Sequence, residues 1–269
     1  MTMRVPDKYP LHSASAARNG LAIGALADCA LLLDEPTFLD AARDVATLLL
    51  DLHVVDGRLR RVSRDGVVNR HAAVLDDHGS LADGLLALHQ ATGQRRWLDA
   101  ALVLLDDVLT HFREDDGTFA DTADDAQPLV SRPADASDGA TASGASTAAH
   151  ALLTAAALTG DARLRDAALT GVGALAGLVR QAPRFFGWTA ATAEAVLAGP
   201  LEVAVVGRPD LLAIARRATS PGAVVVAGPG DSPLLAGRDQ PAAYVCRGTV
   251  CELPTTDADV LAEQVGARD

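Results

Sequence analysis

A three-residue motif, Asp-Ala-Ala, recurs at a long and similar spacing and constrains the fold more than any other feature of the sequence. Its copies are 59 and 67 residues apart, at residues 40–42, 99–101 and 166–168. Pro36 precedes the first copy, and a Thr-Gly pair precedes each of the other two. In each repeat, two apolar runs flank such a turn signal, which is the pattern of two helices joined by a short loop. The repeat therefore predicts three helical hairpins.

The spacing of leucines supports stacked hairpins. In the second repeat, leucines recur at intervals of three and four, at positions 81, 85, 88, 98, 102 and 105. Such intervals place side chains on one face of each helix. The chain is 49% hydrophobic but only 3% aromatic, so its apolar content is mainly small aliphatic residues that let helices pack closely. We expect the apolar faces to pack hairpin on hairpin.

Beyond about residue 200 the pattern changes to short β-branched runs bounded by Gly and Pro. Segments 209–218 and 256–266 look helical, which predicts a small α/β unit. We therefore divide the chain into a helical-hairpin domain, residues 1–199, and an α/β subdomain, residues 200–269. The Val-Val-Gly that ends the first run lacks the G-x-G-x-x-G spacing of a dinucleotide-binding loop, and no cofactor is predicted.

Charge and hydropathy indicate which partners and which cell compartment the chain favours. Thirty-five acidic against 23 basic residues give a net charge of -12, which disfavours nucleic acid and anionic lipid surfaces. No stretch reaches the roughly 18 apolar residues of a membrane span, and the first 20 residues hold no apolar signal region. Three cysteines do not make a disulfide framework. We expect a cytoplasmic protein that binds neither nucleic acid nor membranes.

Four motifs carry a resemblance to a known family. Asn19, Gly20 and Leu21 match a W-N-G-L helix start, and Leu75, Asp76 and Asp77 match an L-[DE]-D-Y-A segment. A loop resembling D-N-A-x-P-S-G-[NQ]-S is matched at Asp138, Ala140, Ser143, Gly144 and Ser146. A tail resembling A-Y-V-C-x4-C-x2-P-x-T-D is matched at Ala243, Tyr244, Val245, Cys246, Cys251, Pro254, Thr256 and Asp257.

From about residue 7 to 261, the chain resembles the C-terminal part of bacterial thioredoxin-domain-containing proteins of the spermatogenesis-associated family. The resemblance implies a mainly α fold, with three hairpins as part of a six-hairpin (α/α) toroid. The thioredoxin-like domain and the first half of the ring have no counterpart in this sequence. A half-ring exposes apolar hairpin faces, so we expect a homo-oligomer or a separately encoded N-terminal half as partner.

The resemblance also implies where chemistry would lie. Related six-hairpin enzymes that act on sugars use paired carboxylates in a central funnel, so we predict Asp77 and Asp138 as acid and base, with His78 as auxiliary. The predicted substrate-binding residues are Asn19, Asp76, Thr141, Ser143 and Ser146. The alternative is structural, because Asp and Ser at helix starts cap free N–H groups.

The cysteines and histidines give weaker signals. Cys246 and Cys251 bracket four residues, so a tight turn could bring the sulfurs within disulfide reach. In a reducing compartment we expect two thiols, with a redox or metal role as the alternative. Cys29 is expected in the helical core. His150 has no partner at a recognisable motif spacing, and no zinc spacing is met, so no metal is predicted.

Departures from the family motifs favour a function without catalysis. Arg18, His78, Gly139, Ala142 and Ala145 stand where the family has other residues, and all lie in the polar segments expected to line the funnel. The apolar repeat and the tail fit the pattern. We therefore predict a truncated or degenerate member, acting as a scaffold or as part of a larger assembly. The alternative is a carbohydrate-directed enzyme of epimerase, isomerase or glycosidase type, with an unknown small-molecule ligand.

Overall fold

The computed structural model describes residues 13–127, 130–228, 232–248 and 250–267. The first 12 residues, on which part of the predicted absence of a signal region depends, lie outside the described residues. Three hairpins and a further helix make up the helical array, in the order α1 Ala16–Leu32, α2 Pro36–His53, α3 Leu75–Thr92, α4 Arg95–His111, α5 Gly144–Thr159, α6 Ala162–Gln181 and α7 Gly187–Ala198. The three predicted hairpins are confirmed.

The repeat places its motif at equivalent points of the three hairpins. Ala42, Ala101 and Ala168 are all fully buried on the second helix of their hairpin. The predicted turn signals also act as expected. Pro36 is the first residue of α2, while Gly93 and Gly160 end α3 and α5 with φ of 68° and 74°, a left-handed conformation that glycine adopts without steric cost.

Helices α1, α3 and α5 lie side by side as an inner layer, with α2, α4 and α6 behind them. Gly84 on α3 meets the backbone of Gly20 on α1 so closely that a Cβ atom there would overlap the Gly20 carbonyl oxygen. On the other side, a Cβ atom at Gly79 would lie 2.9 Å from the backbone nitrogen of Ala148 on α5. Small residues therefore allow backbone-to-backbone packing of the inner layer.

Two polar segments separate the hairpins. The segment after α2 forms short antiparallel ribbons, with β2 Val54–Val55 paired to β3 Arg58–Leu59, and β4 Val62–Arg64 between β1 Ser13–Ser15 and β5 Val67–Val68. The segment from 112 to 143 has neither helix nor strand among its described residues. Both segments lie at the end of the array where α3 and α5 begin, because the Asp121 carbonyl accepts a hydrogen bond from the Leu75 amide and Asp138 contacts the start of α5.

The tail is a four-stranded sheet with two helices. Its elements are β6 Leu201–Val206, α8 Pro209–Ala215, β7 Val224–Ala227, β8 Ala242–Arg247, β9 Val250–Cys251 and α9 Ala258–Val265. The strand order is β7-β6-β8-β9, parallel between β6 and β7 and antiparallel elsewhere. Together with the helical array, the tail confirms the predicted mainly α fold with an α/β C-terminal part.

The sheet of the tail packs on both faces. Val203, Val205 and Val245 form one apolar core with α8 and α9, whereas Ala204 and Val224 join the core of the helical array. Gln90 on α3 also accepts a hydrogen bond from the backbone N–H of Val225, 2.9 Å away. The tail thus covers the inner face of α3 and α5, and the boundary at residues 199 and 200 stays a prediction.

The expectation of two thiols at Cys246 and Cys251 and that of a core position for Cys29 both prove wrong. Cys246 and Cys251 are paired across β8 and β9 and joined by a disulfide, because the strand register sets them directly opposite each other. Cys29 is exposed on α1, since it lies outside the stripe of Ile23, Ala27 and Ala30 that packs inward. In the described ranges, no helix combines the length and the apolar character that crossing a bilayer requires.

Candidate functional site

Asp77, the first predicted acid or base, caps the inner layer. Its fully buried carboxylate accepts hydrogen bonds from the backbone N–H groups of Ala17 (3.1 Å) and Val74 (3.0 Å), and Arg61 Nε lies 3.6 Å from one of its oxygens. Burial raises the pKa of Asp77, and the hydrogen bonds oppose that rise. Asp77 therefore links the starts of α1 and α3, as the capping alternative predicts.

Asp138 has a similar structural position at the other inner helices. One carboxylate oxygen accepts hydrogen bonds from the Ser143 amide (2.9 Å) and the Ser146 hydroxyl (2.8 Å). The other accepts from the amides of Trp188 (2.8 Å) and Thr189 (3.3 Å). Asp138 thus joins its loop to the starts of α5 and α7. Ser143 caps α5 directly, because its hydroxyl oxygen accepts a hydrogen bond from the Ser146 amide.

The other predicted substrate-binding residues have local contacts. The Asn19 amide group donates to the Ser15 carbonyl, 2.8 Å away, and Asp76 accepts a hydrogen bond from the Ser80 hydroxyl at 3.1 Å. Thr141 is exposed. Asp76 does lie near the start of α5, because a Cβ atom at Gly144 would lie 2.8 Å from the Asp76 amide. The structure therefore brings most of the predicted site residues to one end of the array, where they cap helices.

His78 has a partner that the sequence did not reveal. Its buried ring contacts the Val74 carbonyl through Nδ1 (2.9 Å) and Asp107 through Nε2 (2.8 Å). Asp107 lies on α4, and burial alone would raise its pKa, but His78 and Arg58 lower it below its usual value. The Arg58 guanidinium also pairs with Asp125 at 2.9 Å.

His111, Asp124 and Asp125 extend this cluster. Their candidate ligand atoms all lie within 4.8 Å of one another, which is a spacing that a cation could bridge. The Arg58 guanidinium already contacts Asp125, and the His111 ring lies 2.7 Å from Asp124. Because the Arg58 guanidinium already supplies a positive charge there, we interpret the cluster as a polar network that joins β3 to the loop after α4.

A cleft of about 390 Å³ lies between the inner helices and the tail. We call it the inner cleft, and define it by Asp28 on α1, Asp83 on α3, His150 on α5, Trp188 on α7 and Arg216 at the end of α8. Each of these helices contributes at least one polar or aromatic side chain to a cavity with both polar and apolar walls. Such convergence of polar groups beside apolar walls is typical of ligand sites.

A hydrogen-bonded pair forms part of the wall of the inner cleft. His150 Nδ1 lies 2.9 Å from an Asp83 carboxylate oxygen, and the His150 ring lies 5.2 Å from the Trp188 ring, centre to centre. Burial alone would lower the pKa of His150, but the charge and the hydrogen bond of Asp83 raise it above its usual value. Desolvation, with a smaller contribution from the Asp83 charge, raises the pKa of Asp28.

Arg216 gives the cleft a positive wall. Burial lowers its pKa, yet a guanidinium stays charged at any physiological pH. Within the described ranges, the side chain of Arg216 has no ion pair or hydrogen bond. An unpaired guanidinium beside a cavity is suited to an anionic or strongly hydrogen-bonding group of a ligand.

The repeat contained a signal for this site that the sequence analysis missed. Asp83 and His150 are 67 residues apart, the same spacing that separates the second and third Asp-Ala-Ala motifs. They therefore occupy equivalent positions on successive inner helices and point to the same side. Ala87, 59 residues after Asp28, also lines the cleft, and Asp83 lies one helical turn before it. A search for polar residues at the repeat period would have found them.

The stacked hairpins, with the cleft on the inner-helix side, define the (α/α) toroid class. A cellobiose 2-epimerase from Spirochaeta thermophila is similar with a TM-score of 0.51 and 18% identity, over 62% of this chain and 44% of that one. A sugar epimerase from a ruminal bacterium is similar with a TM-score of 0.51 and 10% identity, over 60% and 43%. These likenesses concern the fold, and they confirm the predicted partial toroid.

Sequence similarity points to the predicted family. The chain is 27% identical over 271 residues to human spermatogenesis-associated protein 20, which covers 90% of this chain and 34% of the human protein. The predicted resemblance to the spermatogenesis-associated family is thereby confirmed. The chain spans about a third of the length of this relative. No family model matches the chain.

Proposed function

We propose that the inner cleft is a carbohydrate site of the epimerase or isomerase type. The observation that carries this proposal is the hydrogen bond between Asp83 and His150, next to Asp28, inside a cavity of about 390 Å³. A histidine held by a carboxylate is a common general base, and the raised pKa of Asp28 suits a group that exchanges a proton.

The chemistry of the proposed reaction needs both groups. Epimerisation or isomerisation next to a sugar carbonyl begins with removal of a proton from the adjacent carbon. Asp83 holds the imidazole through Nδ1, so Nε2 of neutral His150 takes that proton, and the Asp83 charge stabilises the resulting imidazolium. In its acid form, which the raised pKa favours, Asp28 gives a proton to the carbonyl oxygen, which yields an enediol. Return of a proton from His150 to carbon, while Asp28 takes one enediol hydroxyl proton back, re-forms a carbonyl and restores both groups.

Trp188 supports a sugar as the substrate. Its indole is 41% exposed at the wall of the cleft and lies beside His150. An exposed aromatic face offers an apolar surface to the C–H groups of a sugar ring, while the neighbouring carboxylates hydrogen-bond its hydroxyls. Solved structures with a similar fold include proteins named as sugar epimerases, which favours this substrate class.

Deuterium exchange tests the proposal whichever epimer or isomer is formed. The purified chain is incubated in D₂O with reducing sugars such as glucose, mannose and cellobiose, and NMR follows deuterium entry at the carbon next to the carbonyl. We expect exchange with the wild-type chain. In His150→Ala the exchange rate is expected to fall about 100-fold or more, which is the usual scale for loss of a general base. His71→Ala is the matched control, because His71 is exposed on a loop outside the cleft. Exchange that survives His150→Ala contradicts the proposed role.

A scaffold function is the second candidate. The observation that favours it is that Asp77 and Asp138 accept hydrogen bonds from backbone N–H groups. The two carboxylates predicted to line the funnel therefore stabilise the fold. A scaffold predicts no exchange on any sugar and self-association or binding of a partner subunit. Size-exclusion chromatography with light scattering on the same preparation measures this, and a monomer that exchanges deuterium rejects the scaffold.

A further inference from the structure

The disulfide between Cys246 and Cys251 lies outside the inner cleft, and its two cysteines differ in solvent exposure. Cys246, on β8, is 3% exposed, while Cys251, on the edge strand β9, is exposed. The two residues are direct partners in the strand register. An attacking thiol therefore has access to the sulfur of Cys251 but not to that of Cys246.

The Arg238 side chain lies beside the sulfur of the buried residue, Cys246. The Arg238 guanidinium lies 3.1 Å from Cys246 Sγ, and its centre lies 5.2 Å from the centre of the Tyr244 ring. Its second terminal nitrogen is buried and has no partner among the described residues. The Glu202 carboxyl, opposite Cys246 on β6, is the nearby opposing charge, and its pKa is raised by burial. A neutral disulfide sulfur does not need a guanidinium, whereas a thiolate does.

We propose that Cys246–Cys251 is a redox-active disulfide that accepts two electrons from a protein dithiol. A thiolate of the dithiol attacks Cys251 Sγ, the disulfide bond breaks, and its electron pair leaves on Cys246 Sγ. The Cys246 thiolate forms beside Arg238, which stabilises the leaving group. The second thiol of the dithiol, after losing its proton, attacks the mixed disulfide and releases Cys251 as a thiolate.

The exchange conserves both electrons and protons. The dithiol becomes a disulfide, the chain gains two cysteine thiols, and the two protons of the dithiol are taken up by Cys246 and Cys251. Loss of the covalent link leaves β9, a strand of two residues, without its covalent attachment to β8, so that their backbone pairing must hold it. Reduction is therefore expected to release this edge of the sheet.

Equilibration with thioredoxin tests the proposal. The full chain with Cys29→Ser, which removes the third thiol, is mixed with reduced thioredoxin, and free thiols are counted by alkylation and mass spectrometry. We expect an equilibrium constant for reduction above about 0.1, since structural disulfides lie below that value relative to thioredoxin. Arg238→Met is expected to lower the constant about tenfold, the scale of one charge-assisted hydrogen bond, and Arg238→Lys to restore most of it.

Two further measurements keep the proposal open to refutation. Arg247→Met removes a cation from the same strand that contacts Gly199 and Ser220 rather than sulfur, and is expected to leave the constant unchanged. Thioredoxin that lacks its second active-site cysteine traps the mixed disulfide on the chain with an intact Arg238, so this measurement does not depend on whether Arg238→Met folds. Peptide mapping is expected to find the mixed disulfide with thioredoxin on Cys251. A constant well below 0.1, no trapped species, or attachment at Cys246 overturns the proposal.

Discussion

Removal of the Asp138 carboxylate is expected to destabilise two helix starts at once. Asp138→Ala deletes the acceptor of four hydrogen bonds, two at the start of α5 and two at the start of α7. The loss of one cap costs about 1 kcal/mol, and a hydrogen bond to a charged group contributes somewhat more. For two helix starts we expect a loss of about 2–4 kcal/mol in the free energy of unfolding.

A thermal melt followed by circular dichroism measures this loss. In a chain of this size, 2–4 kcal/mol corresponds to a fall in Tm of roughly 5–10 °C. The Tm of Asp138→Asn is expected to lie between those of the wild-type chain and Asp138→Ala. The amide oxygen of Asn still accepts two hydrogen bonds, while its NH₂ group faces the two remaining donors. Asp135→Ala is the control, since this exposed carboxylate in the same loop bonds, among the described residues, only to Ser137. If Asp138→Ala melts within 1 °C of the wild-type chain, the structural role that we assign to it is wrong.

Three further predictions concern packing and charge. Gly84→Ala is expected to destabilise the chain by about 1–3 kcal/mol or more because a Cβ atom meets α1 backbone, whereas Gly173→Ala, in open space on α6, is expected to stabilise it by about 0.5–1 kcal/mol; urea titration compares the two. Leu105→Ala, at a fully buried position, is expected to cost about 2–5 kcal/mol in the same titration, and a loss under 1 kcal/mol contradicts the packing described for α4. Since the folded state raises the pKa of His150, the stability gained from its pairing with Asp83 is fully present below the unfolded pKa and is lost as pH rises through the folded one. The destabilisation by Asp83→Asn should therefore be larger at pH 5.5 than at pH 8.5, and an equal or reversed difference contradicts the ion pair.

The hairpins were predictable because their signals are local and periodic. Pro36, Gly93 and Gly160 mark turns through their own backbone preferences, and the leucine intervals follow from the helical period. The site was less predictable, because Asp77 and Asp138 are polar residues at helix starts both when they catalyse and when they cap. Only the positions of their neighbours, such as the Ala17 and Trp188 amides, show that the carboxylates hold backbone groups.

The cysteines illustrate a different limit. Their spacing permitted a tight turn, but composition and compartment favoured thiols. The register of β8 on β9, which sets Cys246 against Cys251, depends on pairing of β8 with β6 and on the sheet as a whole. Cys29 was misplaced because α1 packs on α2 and α3 through only part of its surface.

The sequence by itself determined the hairpin repeat, its turns, the family resemblance and the change to an α/β tail, since each rests on residues close together in the chain. The tertiary structure decided which polar side chains meet. Asp28, Asp83, His150 and Trp188 come from four helices, and Arg216 comes from the tail that covers them. The pairing of Asp83 with His150 depends on backbone contact between α3 and α5, where Gly79 lies against Ala148. Such distances follow from the packing of whole helices, which no local pattern specifies.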